Sequence, residues 1–187
     1  MMLTAVFALS LIVNVSAPAD VPDMVVTKAM FEANTIWRPA GVSFAWRRNE
    51  SMPARIRVTI GSVDAPISKD NTLTIGWVHF DETQTPAPDI YLSYVNAERM
   101  FDESRGTRNM TRLEHHTLIG RALGRALAHE LGHVLLASKT HTPHGLMQAT
   151  RGASDFFGPE AVHFEITPSQ RAEVASRVRS EPLVASR

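Results

Sequence analysis

The stretch that most restricts how this chain can fold is LEHHTLIGRALGRALAHELGHVLLA, Leu113 to Ala137. Apolar residues recur at Leu118 and Ile119, Ala122 and Leu123, Ala126 and Leu127, Leu131, then Val134 and Leu135, which is helical spacing. They cover most of the helix surface and not just one stripe, so other elements have to enclose it. The sequence therefore calls for a central helix, and 187 residues are enough to build one domain around it without staples.

The surrounding elements are legible upstream. PDMVVTKAMFEANTIW, Pro22 to Trp37, places Val25, Ala29, Ala33 and Trp37 four apart and predicts an amphipathic helix, which Pro39 and Gly41 end. Strands are expected at Val42 to Trp46, Ala54 to Ile60, Leu73 to Phe80 and Asp89 to Val95. The polar stretch Asp81 to Pro88 reads as a surface connection, and Asp102 to Arg112 as a polar linker leading to the central helix. After that helix, Ser138 to Ile166 is irregular. A last helix begins where Thr167 caps, Pro168 takes the first position and Gln170 completes a capping box, and it ends near Ser180.

The N-terminus allows two readings. MMLTAVFALSLIVNVSAPA, Met1 to Ala19, has an apolar stretch before Ala17-Pro18-Ala19, as a cleaved signal peptide does, and would make the protein secreted or periplasmic. The same stretch has no Lys or Arg before Lys28, and Leu11 to Ser16 alternates apolar and polar residues like a first strand. The folded domain is expected within residues 20–187 on the first reading, with residues 11–16 added on the second. The apolar run is short and interrupted by Asn14, so no membrane span is expected.

Composition narrows the chemistry. Nineteen basic residues balance nineteen acidic ones, so no net field recruits nucleic acid. The chain has no cysteine, which excludes disulfides, thiolate zinc ligands and cysteine nucleophiles together. Any metal has to be held by histidine and carboxylate. Four of the eight histidines fall between positions 129 and 144.

His129-Glu130-Leu131-Gly132-His133 is the HExxH pattern, and it lies on the predicted helix. Residues four apart share a helix face, so both imidazoles can reach one ion while Glu130 projects beside them toward a water on it. Burying two histidines and a glutamate among Leu127, Leu131 and Val134 would be costly without a partner, and a zinc ion is such a partner. A catalytic zinc site needs a third protein ligand. His141 and His144 are both near, and Glu160, Glu165 and Glu173 are more distant carboxylates.

This stretch resembles the metzincin zinc peptidases, the matrixin-like ones most closely. There HExxH extends to HExxHxxGxxH and a methionine turn follows, to which Gly145-Leu146-Met147 is similar. The match is incomplete: Leu136 stands at the glycine position and Lys139 at the third histidine. A reverse turn through Ser138-Lys139-Thr140, two residues longer, would deliver His141, which we take as the third ligand ahead of His144. The resemblance implies an α+β single domain. It would have a mixed twisted sheet of four to five strands, Leu73 to Phe80 as the antiparallel edge strand, the HExxH helix at the centre and a C-terminal helix.

It also implies an endopeptidase with one catalytic zinc ion on His129, His133 and His141. Glu130 would be the base toward the zinc-bound water, Met147 a packing floor, and a peptide or protein the substrate. A monomer is expected. The alternative is a zinc-stabilised binding module of the same fold, which would have no need of Glu130. Gln148 follows Met147, so no tyrosine is present there as a second oxyanion donor. Specificity cannot be read from the segment after Met147. His115 and His116 near the helix start read as solvated or capping groups and His79 as a strand residue near the cleft rim, while the surroundings of His163 give it no reading.

Overall fold

The computed structural model describes residues 9–50, 54–62, 73–105 and 109–180. Among them are five strands, β1 Leu9–Ser16, β2 Val42–Arg48, β3 Ile56–Gly61, β4 Gly76–Phe80 and β5 Pro86–Ser93. Five α-helices accompany them: α1 Asp23–Trp37, α2 Tyr94–Arg105, α3 Arg112–Leu136, α4 Ala153–Phe157 and α5 Pro168–Ser180. The sheet has the order β2-β1-β3-β5-β4. All its pairings are parallel except that of β4 with β5, so β4 is an antiparallel edge strand. The architecture is α+β with a mixed sheet, as the resemblance implies.

β1 lies inside the sheet. Val13 stands opposite Trp46 of β2 on one side and Ile56 of β3 on the other. Leu11, Val13 and Val15 are buried, while the alternate residue Ile12 is 40% exposed. That alternation is the strand signal seen in the letters, and here it separates a packed face from an open one. Burying the three side chains removes apolar area worth roughly 1.5–3 kcal/mol for each one fully covered.

α3 is the central helix. Thr111 caps it through a reciprocal box: its hydroxyl accepts from Glu114 N at 3.2 Å and its own N–H donates to Glu114 Oε2 at 2.8 Å. The helix runs about 37 Å, and most of its residues from Ile119 to Leu136 are buried. α1 crosses it closely because Gly120 and Gly124 present no side chain: a Cβ at position 124 would lie 2.6 Å from Ala29 O of α1. Trp37 at the end of α1 donates its indole N–H to Ala128 O of α3 at 3.0 Å. The same interface encloses an ion pair, with Arg125 Nε donating to Glu32 Oε1 at 3.1 Å and Lys28 3.4 Å from the other Glu32 oxygen.

Several expectations need correction. The polar linker expected at Asp102 to Arg112 is in part helical: α2 starts at Tyr94, where the fourth strand was expected to continue, and extends to Arg105. Its polar composition hides a narrow stripe, Ala97 and Phe101, that is fully or nearly buried. β4 begins at Gly76 instead of Leu73. The surface connection contracts to a turn in which Asp81 Oδ1 accepts from the N–H of Thr83 and of Thr85, both at 2.9 Å, and Pro86 already belongs to β5. The irregular segment contains the short α4. α5 carries the capping box as predicted, with Gln170 N to Thr167 Oγ1 at 3.3 Å and Thr167 N to Gln170 Oε1 at 2.9 Å.

Because β1 separates β2 from β3, a chain cut after Ala19 should lose its cooperative thermal transition in circular dichroism. An unchanged sharp transition in the shortened chain would show that β1 is dispensable.

Candidate metal centre

His129 and His133 stand one turn apart on α3, and their Nε2 atoms are 3.1 Å from each other. His141 joins them from the loop beyond the helix. Its ring stacks on His129 at 5.3 Å between centroids and meets His133 edge-on at 4.9 Å. Each of the three offers one ring nitrogen, and these atoms all lie within 4.8 Å of one another. Among the described residues this is the one cluster of histidine and carboxylate side chains able to hold a metal ion.

The loop that delivers His141 also orients the other two imidazoles. α3 ends at Leu136, and Ala137 adopts a left-handed conformation with φ 43° and ψ 47°. The chain thus leaves the helix one residue later than the position held by Leu136, through a non-glycine residue at a cost of roughly 1 kcal/mol. Ser138 N then donates back to His133 O at 3.1 Å and Ala137 N to Val134 O at 3.3 Å, a Schellman-type closure. The Ser138 carbonyl faces the site and accepts from His133 Nδ1 at 2.7 Å. His129 Nδ1 meets Leu146 O at 2.8 Å.

A carbonyl can only accept, so both Nδ1 atoms carry the proton and both Nε2 atoms present lone pairs. Two lone pairs 3.1 Å apart repel unless a cation lies between them. Outer-sphere carbonyls of this kind fix metal-ligating histidines in one tautomer and one orientation. The donor set suits zinc, which takes neutral imidazole nitrogen and accepts three protein ligands.

The methionine turn closes the floor. Thr142 N donates to Met147 O at 2.9 Å, Gln148 N to Gly145 O at 3.1 Å, and Leu146 N to Glu165 O at 2.7 Å. Met147 is 1% exposed, and a Cβ at Gly132 would overlap its sulfur. The glycine inside HExxH is therefore where the helix backbone lies directly on the methionine. Phe80, at the end of β4, packs edge-on against His133 at 5.5 Å, which seats the edge strand against the site.

Glu130 is 7% exposed and, with His129, lines a cleft of about 420 Å³. Burial pushes its carboxyl up to about 8. Burial likewise pulls His129 down to about 3, with the neighbouring His133 adding to it, and holds His133 and His141 below the ordinary imidazole value. The imidazoles are thus kept neutral, the form that ligates.

His144 is exposed and outside the cluster; its carbonyl accepts from Thr142 Oγ1 at 2.7 Å. Glu160, Glu165 and Glu173 are also exposed and outside it. Lys139 reaches away to Gln84 Oε1 at 3.2 Å. His79 packs against Tyr91 at 5.5 Å, His115 sits 3.3 Å from Glu98, and His163 Nδ1 is 2.6 Å from Asp155 Oδ1. Sequence reasoning missed Arg125 and Arg151, which line the same cleft. An arginine one turn before His129 on an otherwise apolar helix was the available signal.

No family model and no curated protein matches the sequence. Solved structures do match, and the likeness is to a metzincin-like fold. One match is the crystal structure of archaemetzincin from Methanopyrus kandleri. It covers 95% of this chain and 99% of that one with a TM-score of 0.57, at 10% sequence identity, so the likeness is one of fold.

The buried carboxyl gives a pH signature in metal-free protein. Its folded value is raised, so its contribution is complete below its ordinary value near 4.5 and is lost as pH rises toward about 8. The histidines act oppositely, opposing acidification below their ordinary value, and are common to both proteins compared. Glu130→Gln should therefore gain stability over the unaltered chain as pH rises from 5 to 8, by roughly 3–5 kcal/mol. Denaturant unfolding in chelator measures it; a difference independent of pH would mean that Glu130 is not buried as described.

Proposed function

We propose that this protein is a zinc-dependent endopeptidase, with His129, His133 and His141 as metal ligands and Glu130 as the general base. The observation that carries the proposal is the convergence of three neutral imidazoles beside a carboxyl that opens into a cleft under an antiparallel edge strand. The metzincin-like fold supports it, as does the name of the archaemetzincin that shares that fold.

A zinc ion held by these imidazoles would supply Lewis acidity toward a peptide carbonyl and lower the pKa of a water toward about 7. Glu130 would accept a proton from the attacking water on a carboxylate oxygen and deliver it to the departing amine. Glu130 lines the cleft beside His129, and no described residue forms an ion pair with it. Leu146 O and Ser138 O hold the imidazoles in register. The outer edge of β4, Gly76–Phe80, pairs with no other described strand, so its main chain is open to an extended peptide that would add as a further strand.

We also assign residues 9–16 to the functional domain instead of to a cleaved leader, because β1 runs between β2 and β3.

Cleavage of a mixed peptide library by zinc-loaded protein tests this reading. The unaltered chain should cleave, and Glu130→Gln should keep its zinc while kcat falls about 10²–10⁴-fold, the usual share of a general base. Zinc binding without cleavage by the unaltered chain would replace the peptidase with the binding module.

A further inference from the structure

The cleft into which His129 and Glu130 open continues to two arginines whose donors are only partly used. Arg125, one turn before His129 on α3, is 0% exposed. Its Nε donates to Glu32 Oε1 and its Nη1 to the carbonyl oxygens of Asp155 and Phe156. Its Nη2 is buried with no acceptor among the described residues. Arg151 follows the methionine turn and gives its Nη2 to the carbonyls of Gly145 and His163. Its Nε and Nη1 are likewise buried without an acceptor. Both guanidinium groups pack on the Phe164 ring, at 4.0 Å for Arg151 and 5.2 Å for Arg125.

Two cations against one ring repel each other, and buried donors left unmet are costly. The acidic groups nearby already have partners, and Glu32 and Asp155 act in part on the arginines themselves. Glu103 accepts from Arg99 at 2.8 Å, Asp155 meets His163 at 2.6 Å, and Glu32 is shared between Arg125 and Lys28. Glu130 forms no ion pair with either arginine among the described residues. The wall thus keeps guanidinium N–H donors without acceptors in the same cleft that His129 and Glu130 line.

We propose that Arg125 and Arg151 form a carboxylate-binding subsite that selects substrates with an acidic group close to the scissile bond. The substrate part rests on the peptidase reading above; the anion site itself does not. The group is either the α-carboxylate at a chain end or the side chain of an aspartate or glutamate. A guanidinium matches either one with paired, charge-assisted hydrogen bonds. A neutral amide has one acceptor oxygen and no charge, and leaves the remaining donors unmet.

The binding test uses full-length protein in chelator, which removes any metal from competition for the anion. N-acetylalanine and its amide are titrated separately and followed by calorimetry and by NMR. N-acetylglutamine amide and N-acetylglutamate amide form the second pair. Saturable binding of an acid, with its neutral partner bound at least about tenfold more weakly, is expected, and the pair that shows it identifies the source of the carboxylate. Arg151→Gln should reduce that acid-to-neutral ratio to within about threefold. Equal binding of acid and neutral compounds, or no binding of either, in the unaltered chain overturns the subsite whatever the variant does.

Cleavage of peptides that differ only in these groups separates the two proposals. Equal kcat/KM for acidic and neutral peptides overturns the subsite and leaves the peptidase. Acid-selective binding without cleavage keeps the anion site and removes the peptidase.

Discussion

Everything near the site depends on two imidazole N–H groups finding carbonyl acceptors outside the helix that carries them. His133 donates to Ser138 O and His129 to Leu146 O, so helix end, reverse turn and methionine turn are tied to the same two rings. Fixing both Nδ1 protons forces the Nε2 lone pairs together, which is strained in isolation and suited to a cation. His141 is carried by the segment between those two acceptors. Its place in the cluster follows from the closure of the loop, and it does not depend on the HExxHxxGxxH spacing.

The rest of the domain keeps α3 in place for that arrangement. Gly120 and Gly124 let α1 approach the helix, and the Glu32 carboxylate from α1 meets Arg125 within the contact. A buried pair like this adds little net stability, yet losing one partner strands the other, so it fixes how α1 sits on α3. Further along the helix Gly132 lies on Met147, and on the sheet side Phe80 seats β4 against His133. The helix is thereby held by α1, the methionine turn and the edge strand together.

Much of this was legible in the letters, for identifiable reasons. α3, α1 and the start of α5 carry strong periodicity or a capping box, and those signals are local. HExxH is local too, since its two histidines and glutamate come from little more than one helical turn. The exit of the chain was less legible: Ala137 in a left-handed conformation has no sequence signature, and only the reverse turn through Ser138-Lys139-Thr140 pointed to His141. α2 was missed because its buried stripe is narrow and its surface charged, so tertiary packing of Ala97 and Phe101 outweighs a composition that reads as linker. β1 could not be separated from a leader by pattern, because an interior strand and a signal sequence use the same apolar residues. Arg125 was overlooked because its role depends on Glu32, 93 positions away in the chain.

The most direct test of the account is the zinc stoichiometry of the purified chain, combined with X-ray absorption at the zinc edge for the unaltered protein and His141→Ala. The account predicts one zinc per chain, three imidazole nitrogens at about 2.0–2.1 Å, and one imidazole fewer with weakened retention in the variant. An unaltered chain that binds no zinc, or a His141→Ala spectrum indistinguishable from that of the unaltered protein, would contradict it.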